Sequence, residues 1–187
     1  YVAALCGHAS VIETLVRLGS VAIDTPTRYG WTPMLMAAQN GHVSVIKTLM
    51  RLGSKTIDTP DNHGWTPMHV AVHNGHVSVI ETLVQLGSNT IDVLDNEGCT
   101  PLHKAIYCNS SRRVKILKML GANCSIVQNE GMPDNLFALL NTQVDEDESK
   151  ELRSRVYFSR SLMERLLFEL DARRNRKTTL HAQTRFN

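Results

Sequence analysis

Four histidines crowd one short stretch of the chain: His63, then His69, His73 and His76, the last three within "HVAVHNGH" (69–76). On a helix, His69 and His73 stack their imidazoles on one face. An i,i+4 histidine pair is a known zinc-binding arrangement. A second chemistry is a thiol–imidazole pair, for which Cys99 and His103 stand four apart around a helix start. A third is cation attraction by the acidic run Asp145-Glu146-Asp147-Glu148. Which of these is chemistry depends on the elements that position the residues.

Composition sets few limits. The 187 residues carry a formal net charge of +2, which gives no general drive toward nucleic acid or an anionic membrane. No apolar run approaches the ~18 residues of a membrane span, and no signal peptide opens the chain. Cys6, Cys99, Cys108 and Cys124 form no CxxC pair and no metal-finger spacing, so free thiols in a reducing compartment are the plain reading. The triplets starting at Asn109 and Asn123 match the N-glycosylation pattern and, without a secretory signal, read as accidental. A chain that opens on Tyr1 instead of Met is expected to be a piece of a longer product.

Self-similarity organises the rest. Gly30-Trp31-Thr32-Pro33-Met34 recurs as Gly64-Trp65-Thr66-Pro67-Met68 and as Gly98-Cys99-Thr100-Pro101-Leu102, at a constant offset. "NGHVSVIKTLMRLGS" from Asn40 parallels "NGHVSVIETLVQLGS" from Asn74, and "CGHASVIETLVRLGS" from Cys6 keeps the register. Thr32, Thr66 and Thr100 are predicted N-caps, followed by Pro33, Pro67 and Pro101 at the first helical position. Ala37, Ala38, Ala71, Val72, Ala105 and Ile106 face inward on the short helix that follows. Gly41 or Gly75 ends it. A second helix carries the apolar stripe Val45, Ile46, Leu49 and Leu52, and Gly53, Gly87 and Gly121 stop the second helices. Each unit has one apolar face and buries it only by stacking on a neighbour.

"GWTPMHVAVHNGHVSVIETLVQLGS" resembles the ankyrin repeat, with the TPLHxA core and the Gly-His helix junction nearly intact over roughly residues 1–140. The resemblance implies an all-α ankyrin-repeat solenoid with turn-rich fingers. Two departures stand out. The period is 34 against the family's usual ~33, with "SxxID" loops one residue too long after Gly19, Gly53 and Gly87. In the fourth copy, Asn109-Ser110-Ser111 replaces Gly-His-Val.

The histidines sort by register. His8, His42 and His76 share one repeat position, and His69 and His103 another. The resemblance implies structural roles, the TPLH imidazole bonding backbone in the loops between repeats. Metal ligands would not be copied one per repeat, ~10 Å apart along a stack of helices. Only His63 and His73 are private to their unit. No GxGxxG, GxxxxGK[ST], HExxH or GxSxG motif occurs. Cys99 stands where other copies have Trp31 and Trp65 and reads as a variable surface position. The run 145–148 lacks the glycine and ligand spacing of a calcium loop and reads as a solvated linker.

The expected organisation is an ankyrin-repeat domain over 1–141, with a truncated first repeat, three full repeats and a degenerate cap in which Ala138 keeps the register of Ala71. An acidic linker follows over 142–149, an amphipathic helix over 150–175 and a polar tail over 176–187. Leu152, Val156, Met163, Leu166, Leu167 and Leu170 share one face of that helix. It packs back on the last repeat or onto a second chain, or it docks a partner. The cluster Arg173, Arg174, Arg176 and Lys177 leaves nuclear targeting or nucleic-acid contact open.

No cofactor, metal, membrane or small-molecule substrate is expected, and no catalytic residue. The resemblance implies a scaffold or adaptor in the cytoplasm, with a protein partner held along the concave inner helices and finger tips. The residues there are Arg28, Tyr29, Trp31, Met36, Gln39, His63, Trp65, Val70, His73, Glu97, Lys104 and Tyr107. The rival reading is the targeting arm of an enzyme whose catalytic domain lies outside this sequence.

Overall fold

The computed structural model describes residues 1–19, 23–126, 140, 147 and 149–154. Up to Leu120 there are eight α-helices, and no strand occurs among the described residues. They run in pairs: α1 (Val2–Leu5) with α2 (Ala9–Arg17), α3 (Pro33–Gln39) with α4 (Val43–Arg51), α5 (Pro67–Asn74) with α6 (Val77–Gln85), and α7 (Pro101–Tyr107) with α8 (Ser111–Leu120). The first helices stack in one row, α1 on α3 on α5 on α7, and the second helices in another, α2 on α4 on α6 on α8. A single 3-10 turn follows at Cys124–Ile126.

Local chemistry starts each helix where the repeat places it. The Thr66 and Thr100 hydroxyls accept the backbone N–H of His69 and His103, and each imidazole reaches back to its threonine's N–H. That is a capping box with histidine in the usual Glu/Gln role. Thr32 caps Leu35 in the same way, without the imidazole. The stripe then buries: Val45, Ile46, Leu49, Val79, Ile80, Leu83, Val114 and Leu117 form one core with the alanines of the first helices.

Each joint between units is drawn through a glycine. Gly41 has φ +77°, and a Cβ there would lie 2.8 Å from the His76 ring. The ring's Nε2 donates to the Gln39 carbonyl at 2.9 Å. His42 repeats this one unit earlier, on the Leu5 carbonyl at 2.8 Å. The fourth unit has Ser110 in place of the histidine, yet the contact survives. Arg113 reaches back from the first turn of α8, and its Nη1 donates to the His73 carbonyl at 2.8 Å and to Val72 at 2.9 Å. Its guanidinium lies against Gly75, where the other joints hold an imidazole.

The "SxxID" loops form a second ladder. Asp24 accepts the Ser54 hydroxyl and the Lys55 N–H, and Asp58 accepts those of Ser88 and Asn89. Asp92 accepts the Asn123 N–H. At the far end, residues 149–154 are helical. Leu152 is buried in the core, and Arg153 Nε donates to the Met119 carbonyl at 2.8 Å, satisfying an end of α8. So the start of the expected amphipathic helix packs back on the last unit. Its remaining face residues, Val156 to Leu170, and the basic cluster 173–177 lie outside the described residues.

Candidate protein-binding surface

The fingers between helix pairs are shaped by one acceptor each. Asp61 Oδ1 takes the N–H groups of His63 and Trp65 at 2.8 and 2.9 Å. Asp95 does the same for Glu97 and Cys99, and Thr27 for Tyr29 and Trp31. Such a turn leaves the intervening side chains pointing outward. Neighbouring fingers are then tied edge to edge. Asn62 donates to the carbonyls of Arg28 and Tyr29, and Asn96 to those of Asn62 and His63. The backbone of the rim is thus spent on its own scaffold, and what the rim presents outward is its side chains.

Those side chains separate into three groups. Arg28, Tyr29, His63, His73, Glu97 and Tyr107 are exposed, Tyr29 at 57% and Tyr107 at 66%. Arg28 lies over the Tyr29 ring, 4.6 Å from its centroid. Trp31, Met36, Gln39 and Trp65 are half-buried. Val70 and Lys104 are corrected: at 1% and 5% exposure they sit under the fingers and present nothing to a partner. Cys99, read from the sequence as a variable surface position, is also buried.

The reason for the Lys104 correction is a charge cluster that folds inward. Its Nζ lies 2.7 Å from Asp95 Oδ2 and 3.1 Å from Glu97 Oε2, and 4.8 Å from the centre of the Trp65 ring. Burial alone would depress the Lys104 pKa, but the hydrogen bonds to Asp95 and Glu97 hold it above its ordinary value. Burial likewise pushes Asp95 up. The bonds from Lys104 and from the N–H groups of Cys99 and Glu97 outweigh it and hold the carboxyl below the usual range. Asp95, Glu97 and Cys99 bring three potential metal ligands within 4.8 Å of one another. The Lys104 ammonium already supplies the cation on both carboxylates.

The opening histidine pair is architecture. His69 Nδ1 is taken by Thr66, and Nε2 donates to the Cys99 carbonyl at 3.0 Å, so both ring nitrogens are engaged. Burial lowers the pKa of His69, and that of His103, below the ordinary 6.5. His73, one turn on, instead meets the Trp65 ring edge-on at 5.1 Å, and its Nδ1 lies 3.7 Å from Cys108 Sγ. The contacts that sequence reasoning missed were Asp24, Asp58 and Asp92. Their recurrence in the period of the repeat was the available signal.

The model for ankyrin repeats in three copies matches residues 1–59 and 52–130, more than half of the chain. The chain belongs to the ankyrin-repeat family. No curated protein matches it. Ankyrin repeats are generally protein–protein interaction modules, and the family is typically non-catalytic. Among the described residues no helix is long and apolar enough to cross a membrane.

Proposed function

We propose that this ankyrin stack is a scaffold or adaptor that holds a protein partner across its finger rim and first-helix row. The observation that carries the reading is the contrast between units. Where the copies agree, the residue caps, joins or packs. The exposed positions differ from copy to copy: Tyr29, His63 and Glu97 share one register, and His73 and Tyr107 another, with the half-buried Gln39 in that second register. Arg28, Trp31, Met36 and Trp65 border them, and tyrosine, tryptophan and arginine are the usual anchors of an interface. The partition into repeats over 1–141, a linker over 142–149, a helix over 150–175 and a tail belongs to the same proposal, as does a cytoplasmic role without catalysis.

Peptide-display selection with the full chain as bait tests this. Binders should lose at least tenfold affinity when Tyr29, His63 and Tyr107 are changed together to alanine. Binders insensitive to that triple change but abolished by Lys47→Glu and Arg51→Glu, on α4, would place recognition on the opposite row.

A further inference from the structure

Three departures from the repeat meet at one joint. In the register of Leu5 and Gln39, the third unit holds His73. In the register of Asn40 and Asn74 the fourth unit holds Cys108, and in that of Val45 and Val79 it holds Arg113. The two asparagines bond back to their own helices. Asn40 Nδ2 donates to the Met36 carbonyl at 2.8 Å, and Asn74 Nδ2 to that of Val70 at 2.9 Å. Cys108 instead reaches across the joint. Its Sγ lies 3.7 Å from His73 Nδ1 and 3.7 Å from the His73 carbonyl oxygen. Arg113 Nη1 donates to that same oxygen at 2.8 Å, so a guanidinium and the thiol share one acceptor.

The imidazole is braced for this contact. The Trp65 ring meets it edge-on at 5.1 Å, and Trp65 is itself held by the Lys104 ammonium, 4.8 Å from its centre. With its proton on Nε2, His73 offers the Nδ1 lone pair to the thiol S–H. Cys108 is half-buried and His73 exposed, so a small molecule can reach the pair from the first-helix row. Stacking does not require such a pair, since the second and third units join with an asparagine at the thiol's place. A partly exposed thiol beside a base and a cation is the setting of a reactive cysteine, unlike the buried Cys99.

We propose that Cys108 is a modification site that takes up small-molecule disulfides, with His73 as its base. Nδ1 takes the thiol proton, and Sγ attacks one sulfur of the disulfide. The new Sγ–S bond forms as the old S–S bond breaks, and the imidazolium returns the proton to the departing thiolate. The Cys108 sulfur is oxidised and the departing sulfur reduced, so the disulfide is the only oxidant needed. The reaction stands independently of where a protein partner binds.

The chain carries its own control. Cys6 holds the register of Cys108 and is the more exposed, and among the described residues its thiol has no hydrogen-bonding partner. The test incubates the reduced full chain with 2-hydroxyethyl disulfide, a neutral probe that surface charge does not steer, and maps the adducts by mass spectrometry over time. The adduct at Cys108 should form at least about tenfold faster than that at Cys6. His73→Gln, which copies Gln39, should bring the Cys108 rate down to that of Cys6. It should leave the Cys6 rate unchanged and the unfolding midpoint within about 2 °C of the parent. His73→Asn serves as the second form should the first not fold. Cys6 reacting as fast as Cys108 would overturn the proposal. So would a Cys108 rate that survives the loss of the imidazole in a folded variant.

Discussion

The joint between the second and third units and the joint between the third and fourth make one contact with two different side chains. At the first, the flat ring of His76 lies on Gly41 and donates to Gln39. At the second, the guanidinium of Arg113 lies on Gly75 and donates to His73, the counterpart of Gln39 in the next repeat. The repeat preserves a contact at this place, not a residue. Each of these carbonyls lies in the last turn of a first helix, where it has no intrahelical partner, and a donor from the next unit takes it. Exposed rim positions carry no such demand and differ freely, which is what a recognition surface needs.

The largest effect expected separates the two joints. Gly41→Ala meets both a left-handed φ and a ring atom 2.8 Å from the new methyl. It should cost about 2 kcal/mol or more by denaturant unfolding, of which the left-handed backbone alone accounts for ~1–2. Gly75→Ala, at φ +80°, meets the end of a flexible arginine at 3.1 Å. It should cost only the backbone share. Equal losses at the two glycines would show that the imidazole and the guanidinium are held equally rigidly.

What could be read from the sequence follows the range of the chemistry. Caps, helix stops and the inward stripe depend on neighbours three or four residues away, so Thr66, Pro67, Gly75 and Ile46 announced themselves. The Arg113 joint did not, because an altered residue at Ser110 is repaired from one turn on, across a unit boundary. Val70 and Lys104 were misread for a related reason. Variation between copies marks exposure only where nothing folds over the position, and the Trp65 ring and the Asp95 finger cover Lys104. The outcome also recasts the tryptophans. Trp65, half-buried against Lys104 and His73, contributes to the scaffold as well as bordering the rim.

The interiors of two units give the next contrast. His69 is buried neutral, while the second unit holds Leu35 at the same register, fully buried. Because the folded His69 has a lowered pKa, the unfolded chain binds the extra proton first as pH falls. The stability this represents is complete above the ordinary 6.5 and declines as pH drops below it toward the folded pKa. The unfolding midpoint should therefore fall between pH 7.5 and 5.5, and His69→Leu, which copies the second unit, should shrink that fall. An unchanged slope in the variant would assign the pH dependence elsewhere, with His103 the next candidate.

The smallest effect on stability is expected at the rim. Tyr29→Ala and Tyr107→Ala should each shift stability within about 0.5 kcal/mol, as exposed positions do. A loss of several kcal/mol at either would make it a packing residue and remove it from the recognition set.

Rebuilding the odd joint is the most direct test that the stack keeps contacts and not residues. Arg113→Val gives the fourth unit the valine that Val45 and Val79 provide in the second and third, and it strips the donor from the His73 carbonyl. The loss should be on the order of 1 kcal/mol in equilibrium unfolding, the net scale of one hydrogen bond. Adding Ser110→His to that variant returns an imidazole to the register of His42 and His76. The account predicts that the pair recovers most of the loss. A double variant no more stable than Arg113→Val alone would contradict it.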